Sequence, residues 1–304
     1  MNTVLTPPAN NPMVGMVWMI ITGLLFVGVT ALVKYMGPTI PAAEAAFLRY
    51  ALGLVLMIPL IGRFRAATIT PRQWTFFTLR GATHTLGVTL WFFAMARIPI
   101  ADVTAMNYLS PVYVTLGAAL FLGEKLALRR ILAVIAALIG AIIILRPGFR
   151  EIGPGHFAML AAAVFFAASY LSAKQMSDEV DPAVVVVMLS VMVTIGLAPL
   201  AAAVWVTPGW AEIGILSVVA VLATLGHYTM TLAFRAAPVT VTQPVTFLQL
   251  LWAVLLGALV FDEAFDGWVI VGGVVILGSA TFITWREAML KRAMRTPPVP
   301  ATKV

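Results

Sequence analysis

The sequence predicts an all-α membrane protein with ten transmembrane helices in two inverted five-helix repeats. Composition, the count of apolar windows and an internal repeat all point there. Of 304 residues, 62% are hydrophobic and 10% charged, with a mean hydropathy of +1.01. Too few charges remain to cover the water-facing surface of a soluble domain. Pro99 to Glu124 realigns on Pro238 to Glu263 at an offset of 139, with Leu109 over Leu248, Leu116 over Leu255 and Leu120 over Leu259. Upstream, Gly15, Phe26, Lys34 and Met36 fall on Gly155, Phe166, Lys174 and Met176 at an offset of 140. An odd number of spans per unit turns the second unit upside down in the membrane, the arrangement from which alternating-access carriers are built.

A helix crossing ~30 Å of hydrocarbon needs ~20 apolar residues. Ten such windows lie between polar or Pro/Gly breaks, at 13–35, 42–62, 74–96, 100–122, 129–146, 155–176, 183–206, 212–234, 239–261 and 267–286. No basic residue precedes the first and no small-residue cleavage site follows it, so it reads as a span and not a signal peptide. The domain reading is a first repeat over 13–146, a second inverted repeat over 155–286 and a polar, proline-rich cytoplasmic tail over 287–304. With the N-terminus inside, fourteen Lys and Arg fall on inner segments and only Lys34, Arg97, Arg146 and Arg150 on outer ones. That bias puts both termini in the cytoplasm. Basic inner loops account for the net charge of +7 without any nucleic acid, and the absence of cysteine excludes disulfide and thiol chemistry.

Polar residues inside apolar spans are costly unless they face the bundle interior or a water-filled cavity. Asn107 and Ser110 in the fourth span lie over Thr246 and Gln249 in the ninth, three residues apart on one helical face in each case. Pro111 and Pro244 interrupt the same stretches and free the carbonyls of Asn107 and Thr240 to accept from an ammonium group. Bonding between helices is the plainer role for these side chains; the coincidence across the repeats favours a substrate route. Arg80, His84, Gly87 and Trp91 share a face of the third span; Thr224, Tyr228, Thr231 and Arg235 share one of the eighth, beside His227. His84 and His227 are the mid-membrane candidates for a proton-linked step, against the commoner role of a hydrogen-bonded packing histidine. Trp18, Phe26, Trp91, Tyr108, Tyr113, Phe165, Phe166, Tyr170 and Trp252 supply an aromatic lining. The substrate-binding set is therefore Thr22, Phe26, His84, Trp91, Asn107, Tyr108, Ser110, Phe165, Ser169, His227, Tyr228, Thr246 and Gln249. Ala133, Ala137, Ala141, Gly272 and Gly273 suit close helix packing, and Gly23, Gly28 and Gly196 are candidate flex points.

The Gly123-Glu124 pair before a basic turn, the Arg146-Pro147-Gly148 run, the helix pair after each half-repeat proline and Phe47-Leu48-Arg49-Tyr50 in the second span carry a resemblance. Over residues 13–286 the chain resembles the drug/metabolite transporter superfamily, specifically its ten-helix EamA-type members, among them bacterial amino-acid exporters of the YddG kind. The resemblance implies a multi-pass protein of the bacterial inner membrane. Its central cavity would be lined by spans 1, 3, 4, 6, 8 and 9, with spans 5 and 10 packed outside. It also implies a structural Arg49 that bonds carbonyls of neighbouring helices. Small four-helix relatives depend on a carboxylate in their first helix, whereas the first span here has Trp18, Thr22 and Phe26 and no acid. Uncoupled, gradient-driven passage is therefore expected.

Three function classes follow from these residues. A carrier of neutral, aromatic or hydrophobic amino acids fits the uncharged stripes best. A carrier of a larger metabolite or hydrophobic drug, possible with proton coupling, is the alternative; a nucleotide-sugar substrate calls for basic residues, and only Arg80 and Arg235 come close. An enzyme is disfavoured, because no metal-ligand spacing, nucleophile–base set or phosphate-binding glycine loop is present. No catalytic residue, metal, cofactor, nucleic acid or obligate protein partner is expected; the partners are a small-molecule substrate and the lipid bilayer. A reporter fused after Val304 should report a cytoplasmic C-terminus, and an external signal would overturn the topology.

Overall fold

A computed structural model describes residues 11–58, 68–122, 128–149, 151–176, 180, 182–237 and 242–295. Its helices, in chain order, are α1 (Pro12–Met36), α2 (Ala42–Leu56), α3 (Pro71–Met95), α4 (Ile100–Asn107), α5 (Ser110–Leu122) and α6 (Leu128–Leu145) in the first half. The second half contributes α7 (Pro154–Met176), α8 (Pro182–Ala203), α9 (Trp210–Ala236), α10 (Phe247–Val260) and α11 (Gly267–Arg295). Among the described residues, five stretches are long and apolar enough to cross a membrane by length and composition, within α1, α7, α8, α9 and α11.

Local chemistry sets the helix ends. Asn11 caps α1 by accepting from the Val14 N–H, Pro12 opens it, and Gly37 at φ +64° closes it. Thr70 and Gln73 form a reciprocal capping box at the start of α3. The fourth apolar window is not one helix. Pro111 cannot donate to Asn107 and its ring crowds that carbonyl, so the chain turns at Tyr108 and Leu109 and restarts at Ser110. In the ninth window a 3₁₀ turn over Gln243–Thr246 holds Pro244 before α10 begins. Thr240 lies outside the described residues.

The two halves pack as a swapped set. α1 lies on α9 as α7 lies on α3, and α2 on α9 as α8 on α3. The pairs α2 with α8, and α6 with α11, join corresponding helices across the axis. The contact positions repeat as well. Phe26 on α1 packs against Gly226 of α9, and its repeat mate Phe166 on α7 packs against Gly87 of α3. Thr85 sits against Gly196, and Thr224 faces Gly53. The glycines expected to flex, Gly23, Gly28 and Gly196, are instead close-approach positions, against Trp252 and Gln249, Leu222, and Thr85 respectively.

Side-chain pairs define one end of the bundle. At the Met36 end, Lys34 pairs with Glu263, Arg146 with Asp266, and His156 Nε2 lies 3.1 Å from Asp102 Oδ2. Glu44 accepts from the Val206 N–H there at 2.9 Å. Because α7 starts at the end where α1 stops, the second half runs inverted relative to the first. The Gly153 N–H donates to His156 Nδ1 at 3.3 Å, which leaves Nε2 as the donor to Asp102. Glu263 also accepts from the Ile100 N–H at 3.1 Å, so it both pairs and caps. Its repeat mate Glu124 lies outside the described residues.

α6 and α11 close through Gly140 and Gly272, each carbonyl oxygen lying within 2.8 Å of where the other's Cβ would be. Gly140 is an addition to the small-residue seam of Ala133, Ala137 and Ala141, which are all buried; Gly273 meets Leu250 and Ala105. Gly272→Ala should cost about 1–3 kcal/mol by overpacking, whereas Gly278→Ala, with nothing near its position, should be neutral; thermal unfolding in detergent separates them.

Candidate functional site

The centre of the bundle holds a chain of hydrogen bonds across three helices. Tyr50 Oη of α2 lies 2.9 Å from His84 Nε2 of α3, and His84 Nδ1 lies 3.1 Å from Ser169 Oγ of α7. A neutral imidazole donates through one nitrogen and accepts through the other. Because both hydroxyls can reverse, the chain is satisfied in either tautomer. All three residues are buried, Ser169 completely.

Rings enclose this chain. His84 lies 5.1 Å from Phe166, and Phe166 stacks on Tyr170 at 6.4 Å with 28° between their planes. Gly87 makes the arrangement possible: a Cβ there would come within 2.9 Å of the Phe166 ring, so α3 approaches α7 closely one turn from His84. On the other half, Phe26 meets His227 edge-on at 5.2 Å, again beside a glycine, Gly226. Thr22 and Thr229 bridge α1 to α9 through a 2.9 Å hydroxyl contact, and Thr22 also donates to the Trp18 carbonyl. Tyr170 stays 44% exposed despite its stack.

Arg49 and Arg80 border the same cluster. The Arg49 guanidinium lies 4.0 Å from the centre of the Tyr50 ring, and Arg80 donates to the Val185 carbonyl at 3.3 Å. Tyr50, on which Arg49 rests, bonds His84, and Arg80 stands one turn before His84 on α3. Arg80, counted with the inner loops by sequence, stands nine residues inside α3. The carbonyl bonds expected of Arg49 are not made to any described residue, and Glu44, five residues away, bonds to Val206 instead.

The remaining predicted residues fall into two groups. Tyr108 donates to the Thr246 carbonyl at 2.7 Å, joining the two broken spans directly. Ser110 is buried with no partner for its hydroxyl among the described residues. Asn107 and Gln249 are half-buried, Gln249 beside Gly23 of α1. Trp91 meets Phe92 edge-on at 5.7 Å and Phe165 packs on Gly87, both one to two turns from His84. Tyr228 is 61% exposed on the same outward row of α9 as Val221 and Leu225, so its side chain does not join the central cluster. Tyr50 and Thr229 were missed. A tyrosine beside an arginine deep in an apolar span is a usable signal for the first; a threonine in a helix offers none for the second.

An all-helical, two-repeat bundle with this polar centre defines a polytopic membrane protein built for passage. The model of the EamA-like transporter family matches residues 13–146 and 153–285, and the chain belongs to that family. It is therefore an integral membrane transporter. A riboflavin transporter of Rhizobium johnstonii is 31% identical over 294 residues, covering 95% of this chain and 97% of that one. A pseudopaline exporter of Pseudomonas aeruginosa is 29% identical over 266 residues, with 86% and 93% covered. An S-adenosylmethionine uptake transporter of Rickettsia bellii is 24% identical over 261 residues, with 86% and 89% covered. A solved crystal structure superposes with a TM-score of 0.59 at 17% identity, over 93% of this chain and 98% of that one, which is a likeness of fold.

Tyr50→Phe and Ser169→Ala each delete one bond to His84, worth about 1 kcal/mol. Transport in liposomes should fall roughly fivefold in either, and more in His84→Ala; unchanged rates in all three would remove the chain from the site.

Proposed function

We propose that this protein moves small organic metabolites bearing an aromatic ring across a bacterial inner membrane, by alternating access through the centre of the bundle. Both termini lie on the cytoplasmic side in this reading. The observation that carries it is the Tyr50–His84–Ser169 chain set against the Phe166–Tyr170 stack. A substrate that lays a ring on the stack and a polar arm on the chain uses both halves of the site. Such a pocket needs an apolar wall and a few placed polar groups.

Two substrate types meet that description. Neutral aromatic or hydrophobic amino acids, moved outward or down their gradient, place a ring and a zwitterionic head at opposite ends. Ring compounds with a hydroxylated arm do the same, and the riboflavin transporters among the relatives support that choice. Movement is uncoupled in this reading: every acidic residue with a described side chain lies at or near the Met36 end, so none of them stands in the middle of the bundle to carry a proton. Asn107 and Gln249 flank the route where the broken fourth and ninth spans meet.

Purified protein in liposomes should take up labelled aromatic amino acids or riboflavin saturably, at the same rate with and without a pH gradient. Gln249→Ala and Asn107→Ala should each slow uptake severalfold at normal membrane expression. A strict gradient requirement would shift coupling to His84 and His227, and silence across the panel would remove the aromatic-metabolite reading.

A further inference from the structure

Two arginines sit in the interior of this bundle with no counter-charge among the described residues. Arg49 and Arg80 are each 9% exposed. Arg80 makes one long bond, to the Val185 carbonyl at 3.3 Å, and its Nε is buried with no acceptor among the described residues. Arg49 has no hydrogen bond or ion pair to any described residue and rests on the Tyr50 ring. The two guanidinium groups come from different helices yet surround one place. Arg49 lies on the ring of Tyr50, whose Oη reaches His84, and Arg80 stands one turn before His84 on α3. The acids with described side chains are elsewhere. Glu44, Asp102, Glu263 and Asp266 all bond at the Met36 end, to Val206, His156, Lys34 and Arg146 respectively.

Leaving a charge in a low-dielectric interior costs several kcal/mol unless a partner arrives. A lysine escapes by losing its proton; an arginine does not. The charge therefore persists, and a helix bundle that only needed packing here would do better with leucine. Guanidinium forks match the paired oxygens of a carboxylate or phosphate.

We propose that Arg49 and Arg80 form an anion clamp, and that the transported molecule carries a carboxylate or phosphate held between them while its ring lies on Phe166 and Tyr170. This rests on the reading of the central cluster as the substrate route and narrows it. Among aromatic metabolites, those with an acidic group are the preferred cargo. The cost of the two buried cations is then offset only when the site is loaded, so the clamp also favours the loaded protein over the empty one.

Thermal unfolding of the purified full-length protein in detergent tests this with phenyl phosphate and its uncharged analogue benzyl alcohol. Phenyl phosphate should raise the melting temperature saturably and benzyl alcohol should not. Arg49→Gln and Arg80→Gln should each weaken the phenyl phosphate response at least tenfold, with Arg→Lys intermediate because the charge stays and the fork is lost. Equal responses to the two compounds, or an undiminished response in folded Gln variants, overturn the clamp. Where a Gln variant does not fold, competition on the native chain decides: benzoate must displace phenyl phosphate and benzamide must not, and failure of benzoate to compete overturns the proposal. Liposome uptake is scored separately. Arginine-dependent binding without uptake of any aromatic compound upholds the clamp and removes the carrier reading above; uptake with arginine-independent binding removes the clamp alone.

Discussion

Hydrocarbon solvates no charge, and the organisation of this protein follows from where it keeps its few. At the Met36 end, acids and bases pair between distant segments: Lys34 with Glu263, Arg146 with Asp266, Asp102 with His156. Each pair ties one half of the chain to the other; Lys34–Glu263 and Arg146–Asp266 do so with part of each side chain still exposed, whereas Asp102–His156 is buried. Between the ends the rule changes. Most polar side chains described in mid-bundle are satisfied by short neutral bonds, Tyr50 to His84 to Ser169 and Thr22 to Thr229; the Ser110 and Thr85 hydroxyls are not, and the two arginines are the described charges left there without an acid.

Packing is symmetric where it holds the bundle together. Phe26 on Gly226 repeats as Phe166 on Gly87, and Gly196 against Thr85 repeats as Gly53 facing Thr224. Each small residue lets two helices approach, and dispersion and packing, not a hydrophobic drive, hold helices together in lipid. Because both members of each pair belong to different halves, the scaffold can present the same contacts to either end of the membrane. That is the requirement for two related conformations that expose one site alternately.

Much of this was legible in the chain. Phe26 and Phe166 were aligned by the repeat itself, and His84 and Ser169 were found because polar groups in apolar windows are conspicuous. The broken fourth window was foreshadowed by Pro111, although a residue count drew it as one helix; the free energy of one missing N–H and one crowded carbonyl decided otherwise. What stayed hidden depends on rotation about a helix axis. Tyr228 and His227 are neighbours in sequence, yet one ring points outward beside Leu225 and the other meets Phe26. Arg49 was expected, from the family resemblance, to bond carbonyls of neighbouring helices; only the packed structure shows Glu44 committed to Val206 and Arg49 resting on an aromatic ring.

The residues that break the symmetry are the ones with chemistry. On the alignment that superposes the glycine contacts, Arg80 stands over Val219, His84 over Ala223 and His227 over Val88, while Arg49 stands over Met192. A scaffold that rocks between two states needs equivalent contacts in both halves, but the cargo proposed for its centre is asymmetric, with one ring and one polar end. Duplicating the recognition groups would add two more buried cations with nothing to neutralise them, at several kcal/mol each. On the reading proposed above, the sequence repeats what moves and keeps single what binds, and departures from the repeat point to the site more directly than agreement with it does.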